Sequence, residues 1–153
     1  MELLTYLDER GVDYKLTHHP VTYTAQKLAE TEHVSGKMVI KPVLVQADDR
    51  FVLCAVPASR RVDLNAVQEV LHAKDVRLAD EEKLQELFPD CEVGAEPPIG
   101  LLYGIQTIMD DSLTADRDVM FQACTHQDAV MMSMEDFQRI AQPEIAPISA
   151  MHA

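Results

Sequence analysis

Lys41 stands inside the apolar stretch Met38-Val39-Ile40-Lys41-Pro42-Val43-Leu44-Val45. Lysine is among the residues least often buried without a partner. If the stretch is a strand, residues 39, 41, 43 and 45 share one face, and the ammonium sits among Val39, Val43 and Val45. A positive charge in such partly dry surroundings suits a phosphate or the negative charge that develops on an oxygen during acyl transfer. A second reading stays open. In it the side chain snorkels from the end of a strand, or Pro42, which cannot donate to a ladder, ends the strand early.

Gly94, Pro98 and Gly100 form G-x-x-x-P-x-G within Gly94-Ala95-Glu96-Pro97-Pro98-Ile99-Gly100. Glycines let a backbone approach a ligand closely or adopt positive φ, and proline holds the shape. Such a loop offers backbone N–H groups to a carbonyl or hydroxyl, or is an ordinary turn. His126 follows a strand-like run, and a lone histidine is more often a surface or core residue than a catalyst. His18 and His19 are adjacent in a loop, and two neighbouring side chains rarely ligate one metal. With no H-x-H, H-E-x-x-H or Cys/His set at ligand spacing, neither a zinc site nor another cofactor is expected. Cys54, Cys91 and Cys124 are odd in number and widely spaced, with no C-x-x-C, so no disulfide framework is expected. Cys54 and Cys124 lie in or beside apolar strands and read as buried, inert thiols. Nucleophile-elbow, P-loop and dinucleotide fingerprints are absent from the sequence.

The elements that must position these residues follow from local signals. Residues 2–9 place Leu3, Leu4 and Leu7 on one helical face, with Gly11 as a stop. Thr24 is placed to cap a helix over 25–34, Asp63 one over 64–72, and Asp80 one over 81–88. Ser133 and Asp136 fit a capping box ahead of a helix over 134–141. Residues 38–46 and 50–58 read as two strands joined by a hairpin at Ala47-Asp48-Asp49. Further strands are expected over 12–17, 75–79, 101–110, 118–123 and 129–133, and residues 143–153 as a loosely ordered tail. The expected architecture is one α+β domain over 1–142, with a mixed, mostly antiparallel, barrel-like sheet and surrounding helices.

Composition narrows the function classes. The 153 residues, 47% hydrophobic and 25% charged, are those of an ordinary globular domain. The net charge of −13 counts against any role that coats DNA or RNA, since such binding depends on Lys and Arg meeting phosphates. Nucleic-acid contact is then confined to a small basic mouth. No stretch is long and apolar enough to span a membrane, and the start Met1-Glu2-Leu3-Leu4 lacks the basic region of a signal peptide. A soluble cytoplasmic protein is expected.

The order of these features adds what none carries alone. From the His19-Pro20 loop through Lys41, Arg60-Arg61-Val62-Asp63, the Gly94–Gly100 loop and His126, the chain resembles the YbaK / prolyl-tRNA-synthetase-associated domain family over about residues 14–140. The resemblance implies an aminoacyl-tRNA deacylase that hydrolyses the ester of a mischarged tRNA, with prolyl-type tRNA carrying a small wrong amino acid as the expected substrate. It implies Lys41 as the essential residue and Gly94, Pro98, Ile99 and Gly100 as the loop holding the aminoacyl carbonyl and terminal ribose. It implies His126 near the substrate side chain, and Tyr23 and Thr24 on the pocket side. The implied partners are the 3′ end of an aminoacyl-tRNA and an aminoacyl-tRNA synthetase, without DNA or membrane. A structural role is expected for Arg60, Arg61 and Asp63, as a charged turn that caps a helix. The chain departs from the family at Pro42, where a small hydroxylated residue is usual, and at Cys124, where A-G-x-H reads Ala123-Cys124-Thr125-His126. A non-catalytic binding module of the same fold, for a nucleotide, metabolite or partner protein, is the alternative.

Overall fold

The hairpin expected around Asp48 is the centre of the molecule. In the computed structural model, which describes residues 2–151, β2 (Ile40–Ala47) and β3 (Arg50–Pro57) pair antiparallel along their whole length, from Ile40 opposite Pro57 to Ala47 opposite Arg50. Asp48 turns the chain with φ of +55°. Aspartate tolerates this left-handed geometry better than most residues. Apolar β3 is buried on both faces: Val52, Cys54 and Val56 pack on one side, and Ala55 on the other. A strand covered on both sides reads as a continuous hydrophobic run.

Most of the local expectations for the flanking elements hold, with three shifts in bounds. Helix α1 (Glu2–Glu9) leads into β1 (Lys15–His18), which begins three residues later than the strand expected over 12–17 because the Val12 N–H donates to the Leu7 carbonyl at 3.1 Å and so still belongs to the end of α1. Thr24 accepts from Lys27 N and caps α2 (Ala25–Thr31), which ends three residues sooner than the sequence suggests because His33 turns out at φ +56°. After β4 (Arg60–Val62), Asp63 accepts from Asn65 N and Ala66 N to cap α3 (Leu64–Leu71). Strand β5 (Val76–Leu78) precedes α4 (Glu81–Leu87), whose cap is Asp80 accepting from Lys83 N. The expected strand over 101–110 begins instead as a 3₁₀ turn, Gly100–Tyr103, which closes on Gly104 at φ +69°. Only Gln106–Asp110 is strand β6. Strands β7 (Asp118–Gln122) and β8 (Asp128–Ser133) follow, then α5 (Met134–Ala141), capped by Ser133 accepting from Asp136 N.

The architecture is α+β, with three sheets among the described residues and no closed barrel. The main sheet has the order β5-β2-β3-β6-β9, where β9 is Glu144–Ala146. It is mixed, because β3–β6 and β6–β9 are parallel. The second, β1-β8-β7, is antiparallel throughout. A single bridge between Val39 and Met120 joins the two. Between them lies the largest core cluster, where α1 and α5 bring Leu3, Leu7, Phe137 and Ile140 against Ile40, Met109 and Phe121.

The segment expected as a loose tail forms two strands. β9 adds to the main sheet, and β10 (Ser149–Met151) pairs antiparallel with β4. Between them Ile148 is fully buried, and its N–H donates to Asp110 Oδ1 at 2.9 Å. His152 and Ala153 lie outside the described residues. Removing residues 143–153 would expose the α3-side core and leave the Asp110 carboxylate without this donor. A stability loss of about 3 kcal/mol or more is expected in urea denaturation. An unchanged urea midpoint would show that the two strands are dispensable.

Candidate functional site

Lys41 lies one residue into β2, on the same face as Val43 and Val45, and Pro42 does not end the strand. β5 pairs only with Val45–Ala47, so Lys41 and Pro42 occupy a stretch that β5 does not cover. A proline is tolerated in a sheet at such open positions. The lysine is half-buried, and burial pulls its ammonium pKa down. Lys41 Nζ donates to the Arg60 carbonyl at 2.8 Å. An ammonium has three protons, so this bond orients the group and leaves two for a ligand.

Arg60 is itself held from the C-terminus. Its Nε donates to Ser149 Oγ at 2.6 Å and its NH2 to the Ser149 carbonyl at 3.5 Å. Arg61 Nε donates to the Met151 carbonyl at 3.4 Å, and Asp63 caps α3. These three residues are therefore structural, as expected, although β10, not a turn, is what the arginines serve.

A cavity of about 230 Å³ opens beside Lys41. Tyr23, Thr24, Ala25 and Gln26 form one wall, Ile40, Lys41 and Pro42 a second, and Gly94 with Gln122 the third. Tyr23 is 73% exposed at the rim, and its ring packs 4.9 Å from that of His126. Thr24 serves twice, as a wall of the cavity and as the α2 cap.

The Gly94–Gly100 loop is braced from within. Gly94 N donates to Glu96 Oε1 at 2.8 Å, and Gly100 N donates to Thr107 Oγ1 at 2.8 Å. Both glycine N–H groups are therefore engaged inside the protein. Gly94 has φ of +90°, which favours glycine. Gly100 is required for another reason: a β-carbon there would fall on the Ile105 carbonyl oxygen, well inside van der Waals contact. Glu96 is 3% exposed, and burial raises its pKa while the Gly94 N–H partly offsets that rise.

His126 is buried behind Gly94 and is occupied at both ring nitrogens. Nε2 donates to the Val93 carbonyl at 2.8 Å. Nδ1 lies 3.0 Å from the Thr22 carbonyl oxygen and 2.9 Å from Gln122 Oε1. Its own backbone N–H donates to Glu92 Oε1 at 2.7 Å. The ring thus ties the loop before Gly94 to the segment before Tyr23 and to the end of β7.

Tyr23, Thr24, Lys41 and Gly94 are brought together around one cavity, with His126 directly behind them. Pro98, Ile99 and Gly100 are buried away from it, and Ile99 belongs to the main core. Gln26, Ile40, Glu96, Thr107 and Gln122 line the cavity or brace its loop, roles that the sequence pattern does not make legible. Only Glu96 had a usable signal, as a lone charge in a loop of small and proline residues. Cys91 and Cys124, read as unpaired, are joined in a disulfide. Cys54 is fully buried, as expected, and burial pushes its thiol pKa up to about 12.

The aminoacyl-tRNA editing domain family matches residues 19–140, and the chain belongs to it. It is 35% identical over 109 residues to the proline–tRNA ligase of Bacillus subtilis (strain 168), covering 71% of this chain and 19% of the ligase. The chain therefore spans about a fifth of that relative's length. It is 24% identical over 148 residues to the multifunctional Ser/Thr-tRNA deacylase ProXp-y of Escherichia coli (strain K12), covering 94% of this chain and 88% of that protein. A solved structure described as a candidate trans-editing enzyme for prolyl tRNA synthetase superposes with a TM-score of 0.87 at 19% identity, over 97% of this chain and 95% of that one. This last likeness establishes the fold alone.

Two predictions test the loop. Gly100→Ala should cost about 2–3 kcal/mol in urea denaturation, because the clash is with backbone. Glu96→Gln keeps an acceptor for Gly94 N and removes a buried charge. For a carboxyl whose folded pKa is raised, stability is complete below the ordinary glutamate range and falls as pH rises through the folded value. Glu96→Gln should therefore melt above wild type at pH 8, with the difference shrinking toward pH 4. A pH-independent difference would contradict the assignment.

Proposed function

We propose that this chain is an aminoacyl-tRNA deacylase that hydrolyses the ester of a mischarged tRNA. The observation that carries the reading is Lys41, an oriented and partly desolvated ammonium on the wall of a small cavity in an editing-domain fold. The deacylase named among the relatives supports it.

The ester of an aminoacyl-tRNA is already reactive, so the site needs no activated serine or cysteine. Lys41 holds the carbonyl oxygen or the terminal phosphate and stabilises the negative charge that grows on the oxygen when water, or a ribose hydroxyl of the substrate, attacks. Tyr23 and Thr24 bound the entering 3′ end. Gly94 shapes the wall facing Lys41, and His126 acts as a positioning residue through Val93. Pro98, Ile99 and Gly100 hold the loop from inside the core.

Hydrophobic pockets separate near-isosteric side chains poorly, which is why a second, hydrolytic site is useful to a synthetase. The substrate is a small wrong amino acid on prolyl-type tRNA. Lys37 lines a neighbouring cavity of about 370 Å³ together with Arg60 and Asp116, and is a local cation there on an otherwise acidic protein. An aminoacyl-tRNA synthetase supplies the remaining tRNA-binding surface. Translation places the protein in the cytoplasm, and no helix among the described residues is long and apolar enough to cross a membrane.

One observation favours a second reading, a binding module without turnover: the Gly94 and Gly100 N–H groups are engaged internally instead of facing the cavity. Hydrolysis of Ala-, Cys-, Ser-, Thr- and Pro-tRNA separates the two. Wild type should hydrolyse at least one of them, and Lys41→Ala should lower that rate by about 100-fold or more while the protein stays folded. A tight complex with tRNA and no turnover of any member would favour the binding module, and an active Lys41→Ala protein would sink the mechanism.

A further inference from the structure

Cys91 and Cys124 are 33 residues apart in the chain, and the fold brings their Cα atoms to 4.3 Å and joins their sulfurs. Cys124 is 2% exposed, whereas Cys91 is half-buried. Two features distinguish this pair from an incidental packing contact. Cys124 has φ of +70°, in the left-handed region where a β-carbon is disfavoured and glycine fits without strain. The chain places a thiol there all the same.

The second feature is what the pair connects. Glu92 N donates to the Cys124 carbonyl at 2.9 Å, and Cys124 N donates to the Ala95 carbonyl at 2.9 Å. Gly94, a wall of the Lys41 cavity, therefore hangs between the sulfurs on one side and the His126–Val93 bond on the other.

We propose that Cys91 and Cys124 form a reversible thiol–disulfide site, oxidised by low-molecular-weight disulfides, whose closure holds the Gly94 wall in place. The more accessible Cys91 reacts first. Its thiolate attacks one sulfur of the small disulfide and expels a thiolate, which leaves a mixed disulfide on Cys91. The Cys124 thiolate then attacks the Cys91 sulfur and expels the second small thiol. Two protein thiols are oxidised to one disulfide, the small disulfide is reduced to two thiols, and the two protons leave with them. A dithiol reductant reverses the sequence by attack at Cys91. Reducing compartments keep such pairs as dithiols until an oxidant arrives, so the site couples the firmness of the cavity wall to redox state.

The test uses wild-type protein equilibrated with glutathione disulfide or with dithiothreitol. Thiols are alkylated before and after denaturation and counted by mass spectrometry, and hydrogen exchange is followed in residues 92–95 and 123–126. The oxidised protein should yield no alkylated thiol when native and one, Cys54, when denatured. Exchange in the two segments should be slower than in the reduced protein by on the order of 30-fold or more. Cys91→Ser should exchange at the reduced-state rate in both buffers. Three alkylatable thiols after treatment with glutathione disulfide, or equal exchange in the two wild-type forms, would overturn the proposal. Neither readout involves tRNA, so the result stands apart from that of the deacylation assay.

Discussion

An ammonium group on a strand of aliphatic residues gives up much of its hydration, and its protons must meet an acceptor. Here the acceptor is the Arg60 carbonyl, 2.8 Å from Lys41 Nζ. The geometry of the site depends on that carbonyl staying where it is. β4 has only three residues, and a short strand needs a neighbour to hold it. The neighbour is β10, which pairs with it residue for residue from Val62 to Arg60 and receives the Arg60 side chain at Ser149. The last described strand of the chain therefore fixes the charge on the wall of the cavity.

The opposite wall is built on a different principle. Lys41 keeps protons available, whereas the loop facing it engages its own donors. Glu96 takes the Gly94 N–H, Thr107 takes the Gly100 N–H, and His126 is held at both ring nitrogens. Burying a carboxylate to brace one turn is costly, and the raised Glu96 pKa reports that cost. The benefit is a wall whose position is set before any ligand arrives. Preorganisation of this kind suits a reaction in which the substrate is intrinsically reactive and only needs to be placed.

The two walls meet through the core. Ile40, next to Lys41, and Ile99, next to Gly100, belong to the same buried cluster as Leu3, Leu7 and Phe137. That cluster is assembled by helices at both ends of the chain. Loosening of α1 or α5 would therefore be felt at the cavity, although neither helix lines it.

What the sequence determined by itself was local. The caps at Thr24, Asp63, Asp80 and Ser133, the turn at Asp48 and the apolar hairpin could all be read, because each depends on residues no more than about four positions apart. The anomaly of Lys41 in an apolar run was also visible, and with it the order of the loop and histidine that follow. The tertiary structure alone decided which groups face the cavity. Gly100 is a glycine because of Ile105, His126 is clamped by Val93 and Thr22, and Cys124 meets Cys91. The tail became two strands only because β6 and β4 offered open edges. Hydrogen-bonding rules and steric limits act over one turn of chain, so they specify elements. Partners tens of residues apart meet only once the sheets have packed, and no local pattern records that meeting.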